Sequence, residues 1–492
     1  MKADGAVMTG PCCEKDGSSR PLSVVVLGSG AAAMAAVIAA TERGAQVHVV
    51  ERATVGGTCV NVGCVPSKHL VRSAQLQHWC DEHVEISDGC RCDGVPNAHK
   101  LHASRQALVE RLRWQKYESV LDENPHVTVW HGEASFEDSR TVRVRSLAAQ
   151  ATQTETLLHF DRCLIAVGAE PYIPPIDGLA SVPFWTSTEA LASDTVPHRL
   201  GVVGSSAVAL ELAQAYARLG SRVTIFARRG LCTRTDPLVG ETLMQALLDD
   251  DRIRIHCGAL VESVQCEDGV FKVTLTTSQA VFMTDALLVA SGRRPSTAAL
   301  NMAAAGVSWH AASGQIPVDT HMRTNVPHIY AAGDCAQMPQ LVYVAAAAGT
   351  RAAINMTGGE ACLDLSLVPW VIFCEPQAAA VGLTEAEAQA RGLRTETRTL
   401  PITSVPRCIV HGEKFGFLKL VAETPSMRIV GAQAVAAEAS DMISTVAVAM
   451  RGHLTVADLS GMLLPYLTAS EAVKLVAQSF TRDVHQLSCC AG

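Results

Sequence analysis

LSVVVLGSGAAAMAAVIAATERGAQVHVVE, residues 22–51, is the stretch from which the fold is read. Val24–Leu27 is a short apolar, mostly β-branched run bounded by glycine, the signature of a buried strand. Gly28-Ser29-Gly30 follows, then an alanine-rich helical run to about Arg43, then a second strand, Gln46–Val50, that ends on Glu51. Strand, glycine turn, helix and strand form the unit that lays a dinucleotide over the end of a parallel sheet. Gly28 permits the sharp turn, Gly30 lets a pyrophosphate approach the backbone, and the small Ala33 lets helix and strand pack closely. The helix start offers unbonded N–H groups and a positive dipole end to phosphates. Glu51, 23 positions after Gly28, is placed to accept hydrogen bonds from a ribose diol. Residues 22–41 carry no charge and are long enough for a membrane span. The glycines in mid-stretch and the valines ahead of them favour strand, turn and packed helix over export or insertion.

The device recurs at RLGVVGSSAVALELAQAYARLGSRVTIFARRG, residues 199–230. Gly204 takes the place of Gly28, the helix is expected to reach about Leu219, and the strand spans Arg222–Phe226. Twenty-three positions beyond Gly204 stands Ala227, followed by Arg228 and Arg229. A carboxylate would repel a 2′-phosphate and a guanidinium matches one, so NADPH is expected here rather than NADH. The bland reading is a solvated pair of surface arginines. This copy is the looser one, with Ser206 and Ala207 where a third small glycine-like position belongs.

Two nucleotide sites in one chain call for an electron acceptor. GGTCVNVGCVPSKHL, residues 56–70, supplies Cys59 and Cys64 directly after the first unit's second strand. Gly56, Gly57 and Gly63 let the chain approach a flat cofactor, and Pro66 suits a helix opening, where its missing N–H costs nothing. A thiol at a helix N-terminus ionises more readily, so a thiolate is available near neutral pH. Such a pair can close as a disulfide and accept two electrons from a reduced flavin; two inert buried thiols would not need this glycine pattern.

Bulk composition bounds the rest. The 492 residues exceed what one core holds, so two to four domains are expected. With 48% hydrophobic and 18% charged residues the chain has ample core material. A net charge of −8, scattered Lys and Arg, and 4% aromatics argue against nucleic acid or an anionic membrane as partner. Seventeen cysteines without framework or zinc spacing read as reduced thiols in a cytoplasmic protein.

With GSGAAA at 28–33, the dicysteine stretch, AVGA at 166–169, the second glycine motif, SGRRP at 291–295 and YAAGDC at 330–335, the chain resembles the pyridine nucleotide-disulfide oxidoreductase family from about residue 20 to the end. The resemblance implies an α/β fold with two Rossmann-like dinucleotide-binding domains, for FAD and NADPH, and a C-terminal α+β dimerisation domain. It places a flexible leader at 1–20, the FAD domain at 20–164 and 290–365, the NADPH domain at 165–289 and the dimerisation domain at 366–492. In the last, a helix Ser440–Arg451 and strands Phe417–Ala422 and Ile429–Val435 are expected. It also implies that Asp334 holds the ribityl chain of FAD, that Lys68 and Glu211 pair beside the flavin ring, and that Gly57, Thr58 and Gly168 border the cofactor. Cys64 becomes the flavin-adjacent thiolate and Cys59 the outward interchange thiol.

Relatives that reduce organic disulfides carry His-Pro-Thr-x-x-Glu near the C-terminus, where the histidine protonates the leaving thiolate. Here LLPYLTASEAVK, residues 463–474, puts Tyr466 and Leu467 at those two positions. A tyrosine, with its ordinary pKa near 10, is a poor acid for that step. PYLT, KYESVL at 116–121, QLVYVAAAAGTRAAINMTGG at 340–359 and the terminal SCCAG instead resemble the branch of the family that reduces mercuric ion. The implied substrate is Hg(II) as thiol complexes. It would be captured by Cys489 and Cys490 on the tail and passed by ligand exchange to Cys59 and Cys64, because soft cations prefer thiolates. Tyr117 and Tyr466 match the branch's active-site tyrosines, a packing role being the other reading of each. Ala207 falls where disulfide reductases carry a ring that gates the nicotinamide. The implied assembly is a homodimer in which each tail serves the partner's flavin. The metal-binding domain that often precedes this core has no counterpart in the roughly 20 leader residues, where Cys12 and Cys13 adjoin. Cys80, Cys90 and Cys92 lie in a polar surface excursion. A disulfide reductase of unusual substrate and a thiol metal buffer remain as alternatives.

Overall fold

The computed structural model describes residues 20–82, 97–147 and 155–483. Cys12, Cys13, Cys90, Cys92, Cys489 and Cys490 lie outside the described residues. The opening stretch folds as read: strand β1 (Ser23–Leu27), helix α1 (Ala31–Thr41) and strand β2 (Gln46–Glu51). α1 stops two residues short of Arg43, where the turn through Gly44 closes back on the Thr41 carbonyl. β1 lies inside a seven-stranded sheet, flanked in parallel by β2 and by Arg162–Ile165, with Ile329–Ala331 beyond the latter. On the other side β2 pairs in parallel with Val127–Asp138, and antiparallel strands Thr141–Ser146 and Glu155–His159 complete the sheet. Parallel strands covered on both faces read as unbroken apolar runs, and Val24–Leu27 are all fully buried.

The alanines of α1 are explained by its neighbour, helix Val342–Met356. A Cβ added at Gly349 of that helix would stand 2.0 Å from the Ala32 carbonyl oxygen, so the two backbones meet where no larger side chains fit. α1 is apolar on every side because it is buried between this helix and the sheet.

A second parallel sheet has the order Ile253–Cys257, Arg222–Ala227, Arg199–Val203, Ala286–Val289, with helix Ala207–Arg218 packed on it. A three-stranded meander, Val261–Glu267, Val270–Leu275 and Val281–Thr284, covers one end. Where the chain leaves the first sheet and where it returns, Ala169–Pro171 and Arg293–Pro295 pair antiparallel. This brings Gly168 and Arg293 together although 124 residues separate Ala169 from Arg293.

Residues beyond 368 form a five-stranded antiparallel sheet ordered Trp370–Ile372, Gln377–Gly382, Arg428–Ala436, Phe417–Glu423, Thr395–Pro401. Helices Ala439–Arg451 and Glu471–Gln478 cover it. The expected helix and two strands are there within a residue at each end. Among the described residues no helix is long and apolar enough to cross a membrane.

A buried charge pair ties the last sheet to the second unit. Lys419 Nζ lies 2.8 Å from Asp236 Oδ2, with side chains 14% and 8% exposed, and Asp236 also caps helix Pro237–Leu248 by accepting from the Leu238 N–H. Removing one partner of such a pair strands the other charge, so Lys419→Met is expected to destabilise the fold by about 3–5 kcal/mol. Urea-unfolding midpoints check this, and adding Asp236→Asn, which keeps the cap, should recover more than half of the loss.

Candidate active site

The dicysteine stretch forms helix α2 (Gly57–Val62) and helix α3 (Cys64–Glu82), broken at Gly63. Cys59 sits in the first turn of α2 and Cys64 opens α3, with Pro66 in its first turn. Gly57 adopts φ +64° and lies so close to Gly30 that a Cβ there would stand 2.6 Å from the Gly30 Cα. The redox loop is thereby pressed onto the glycine turn of the first nucleotide unit.

The ionisation of the two sulfurs is linked. The Cys59 thiol donates to Cys64, and this hydrogen bond is the main reason the Cys64 pKa is pulled down to about 7 from 9.0, helped by the Lys68 ammonium and opposed by burial. The same hydrogen bond, with burial, pushes Cys59 strongly up. In the dithiol form Cys64 is therefore the anion and Cys59 the acid. Lys68, one turn along α3, lies 2.6 Å from Glu211 Oε2 and 4.7 Å from the centroid of the Phe373 ring. Glu211 projects from helix Ala207–Arg218 with a 5% exposed side chain, and its other oxygen accepts from the Phe373 N–H at 2.9 Å.

Tyr117 reaches the same place from another element. It lies in a π-helical turn, Trp114–Glu118, and a Cβ on Gly56 would be 3.4 Å from its Cγ. Burial raises its phenol pKa, and the neighbouring sulfurs of Cys59 and Cys64 raise it further. The turn is held by Arg113, whose Nε is 3.3 Å from Glu118 Oε1 and whose guanidinium donates to Asn61 Oδ1 at 3.3 Å. Asn61, between the two cysteines, donates to the Val55 and Gly57 carbonyls at 2.9 and 3.0 Å. π-turns are rare and concentrate at functional sites. Asn61 and Arg113 escaped the sequence reading, since nothing local marks a side chain that steadies two segments 52 residues apart.

A cleft runs from β2 to the cysteines as two adjoining cavities of about 340 and 240 Å³. Glu51 stands at the far end, where Ser29 Oγ donates to Oε2 at 2.5 Å and the Ala53 N–H donates to Oε1 at 2.8 Å. Gly28, Gly30, Gly57, Thr58 and Gly168 line the middle. Cys59, Cys64, Lys68, Glu211 and Asp334 line the near end. Ala33, in the first turn of α1, is fully buried, as its packing role requires. A Cβ on Gly28 would collide with the Ala166 carbonyl at 2.5 Å, and Gly30 caps α1 with no side-chain bond, leaving the helix's first N–H groups to the cleft. Arg293 lines both cavities, 4.0 Å from Asp334 Oδ2, and donates to the Ala169 carbonyl. Burial raises the Asp334 pKa while Arg293 pulls it back, and burial lowers that of Arg293. Arg293 was visible only as part of SGRRP. An acceptor for a ribose at the far end, uncapped N–H groups for a pyrophosphate in the middle and a dithiol at the near end, in that order along one cleft, fit FAD.

The other candidates lie elsewhere. In the second unit Gly204 has the same close approach as Gly28, its Cβ position 2.5 Å from the Ala290 carbonyl. Arg228 and Arg229 are exposed just past strand Arg222–Ala227 and make no ion pair among the described residues. Val208, rather than Ala207, faces the near cavity. Tyr466 is half-exposed in the loop before helix Glu471–Gln478 and lines neither cavity of its own protomer. Among the described residues no group of three or more His, Cys, Asp or Glu side chains is arranged to hold a metal ion.

Known proteins agree with this geometry. A family model described as pyridine nucleotide-disulphide oxidoreductase matches residues 22–349, and one for the dimerisation domain of the same family matches residues 368–477. The mercuric reductase of Shigella flexneri is 50% identical over 97% of this chain and 84% of its own length. That of Acidithiobacillus ferrooxidans is 50% identical over 100% of this chain and 87% of its own. Among solved structures, the HOCl-induced flavoprotein disulfide reductase RclA from Escherichia coli superposes with a TM-score of 0.82 at 27% identity, covering 94% of this chain and all of that one. LpdA from Mycobacterium tuberculosis gives 0.83 at 27% over the same shares. The mercuric reductases of the family use FAD and NADPH. With both family domains matched in order and the dithiol, the Lys68–Glu211 pair and the glycine turn gathered on one cleft, this chain belongs to the pyridine nucleotide-disulphide oxidoreductase family.

Proposed function

We propose that the protein is an NADPH-dependent flavoenzyme that reduces Hg(II) to Hg(0) at Cys59 and Cys64, in the cytoplasm and as a homodimer. The observation that carries this reading is the placement of Cys59 and Cys64, beside the Lys68–Glu211 pair, at the end of a cleft fit for FAD. The 50% identical relatives named mercuric reductase support it, as does tyrosine at position 466, where reductases of organic disulfides place an acid. FAD, when bound along the cleft, supplies the two electrons that NADPH brings to the second unit. NADPH is chosen over NADH by Arg228 and Arg229 beside Gly204, which match a 2′-phosphate. Domain limits at 20–164 with 290–365, at 165–289 and at 366–492 go with this reading.

The chain's own groups then do the following. Cys489 and Cys490 take Hg(II) from a carrier thiol, each exchange forming one Hg–S bond as another breaks. The Cys64 thiolate attacks the metal, and the Cys59 proton leaves with the displaced thiol, so that both sulfurs end as ligands. Lys68 holds the cleft end positive while Glu211 fixes Lys68. Tyr117, and Tyr466 of the partner subunit, flank the metal with phenols. Two electrons convert bound Hg(II) to a neutral atom, which departs from both sulfurs, and one proton returns to the pair. No leaving thiolate has to be protonated at that step, so no histidine is needed.

Purified protein should oxidise NADPH when given Hg(II) with excess small thiol, and much more slowly with NADH. Glutathione disulfide or lipoamide should give little turnover; turnover with those and none with mercury would make it a disulfide reductase, as its structural neighbour RclA is named. Cys489→Ala with Cys490→Ala should slow reduction of thiol-bound Hg(II) while leaving flavin reduction by NADPH intact. Equal turnover in both proteins would remove the tail from the pathway.

A further inference from the structure

Outside the redox cleft, among the described residues, the Cys362 thiol has an imidazole in contact. Cys362 Sγ lies 3.1 Å from His321 Nε2, and Glu360 Oε1 lies 3.7 Å from the same nitrogen. None of the three lines the cleft. We propose that Cys362 and His321, with Glu360 as a swinging third ligand, form a second site that binds a thiophilic divalent cation at the surface.

The scaffold behind these side chains is fixed. The 94% buried Asn355 donates to the carbonyls of both His321 and Ala361 and accepts from the Ala361 N–H. The Leu363 N–H donates to the Thr320 carbonyl, and Arg351 Nε donates to the Cys362 carbonyl at 2.7 Å. Two loops far apart in sequence are thus pinned edge to edge, one carrying the imidazole and the other the thiol. Around the ring, Thr320 Oγ1 lies 3.4 Å from Nδ1; in the tautomer whose Nδ1–H donates to that hydroxyl, the Nε2 lone pair faces Cys362.

Thiolate and imidazole are the donors that borderline and soft cations select over oxygen-loving ones. A tetrahedral ion with M–S ~2.3 Å and M–N ~2.0 Å spans about 3.6 Å between such donors. The present 3.1 Å opens to that span by rotating the exposed Cys362 side chain, with no change in the pinned backbone. Binding replaces the S–H···N hydrogen bond by S–M and N–M bonds, and the thiol proton is released to solvent. Glu360 is 87% exposed and reaches the ion by a side-chain swing. The result is an open site of two firm protein donors, one mobile carboxylate and water rather than a preformed three-residue cage, of which there is none among the described residues.

Cadmium(II) is the probe, because it is thiophilic and is not reduced under these conditions. The FAD-loaded full-length protein is alkylated with iodoacetamide over a range of Cd(II), and each cysteine's rate is read by peptide mass spectrometry. Cys80, an exposed thiol of α3, is the internal reference. Cys362 is expected to be protected at Cd(II) about tenfold or more below the level that protects Cys80. His321→Gln, which keeps the polar shape of the loop, should erase that difference, and Glu360→Gln should shrink it. Protection equal to that of Cys80, protection unchanged in His321→Gln, or a Cys362 that does not alkylate even without metal would each overturn the proposal.

Discussion

Cys64→Ser is expected to lower NADPH-dependent Hg(II) turnover by about a thousandfold or more, the scale seen when the attacking group of a catalytic unit is deleted. A serine hydroxyl is neither ionised near pH 7 nor a ligand for a soft cation, so capture and electron delivery fail together. Cys59→Ala should be comparably inactive but tells more, because it leaves the Cys64 sulfur in place. The first cause of the lowered Cys64 pKa is the hydrogen bond from Cys59. Without that donor the anion loses its largest support while burial still opposes it, so the midpoint moves upward. Alkylation of Cys64 in the dithiol enzyme should rise with pH through about 7 in the parent protein and at clearly higher pH in Cys59→Ala. A midpoint that stays near 7 in the variant would mean that Lys68 and the start of α3, not the partner thiol, make the anion.

How far the sequence carried depended on whether a signal was local. The glycine turn, its strands and helix, and the Cys59–Cys64 loop were legible because each is a short pattern whose spacing dictates its geometry. The second copy, from Gly204 to Arg228, was legible for the same reason. Family likeness added what spacing could not, such as Lys68 against Glu211, whose numbers differ by 143 and whose side chains meet at 2.6 Å. What stayed hidden is the supporting layer. Arg293 reaches the cleft because two crossovers pair, and the Arg113–Asn61 link exists because a π-turn swings one segment beside the other. Neither pairing has a local sequence signal. Tyr466 marks another boundary: its residue type disfavoured an acid, yet within one protomer it is half-exposed and lines neither cavity.

Lys68→Met is the sharpest test of how the protein sustains an anion at Cys64. Glu211 is almost wholly buried, and without Lys68 its carboxylate keeps the Phe373 N–H as its hydrogen-bond donor but loses its counter-charge. Stranding a buried charge costs about 3–5 kcal/mol; Lys68 itself is 40% exposed, so water takes part of its place and the lower end applies. Lys68→Met should therefore unfold in urea about 3 kcal/mol more easily. It should also shift the Cys64 alkylation midpoint above about 7, since the ammonium holds that pKa down and Glu211 pushes it up. Lys68→Met with Glu211→Leu separates the two effects. Stability should return, because an apolar pair replaces an ion pair at little net cost. The Cys64 midpoint should fall back only in part, because the repelling carboxylate is gone while the attracting ammonium is still missing. If the midpoint instead returns fully with stability, Lys68 acts on Cys64 by holding the helices in place; if stability returns and the midpoint stays high, it acts by its charge.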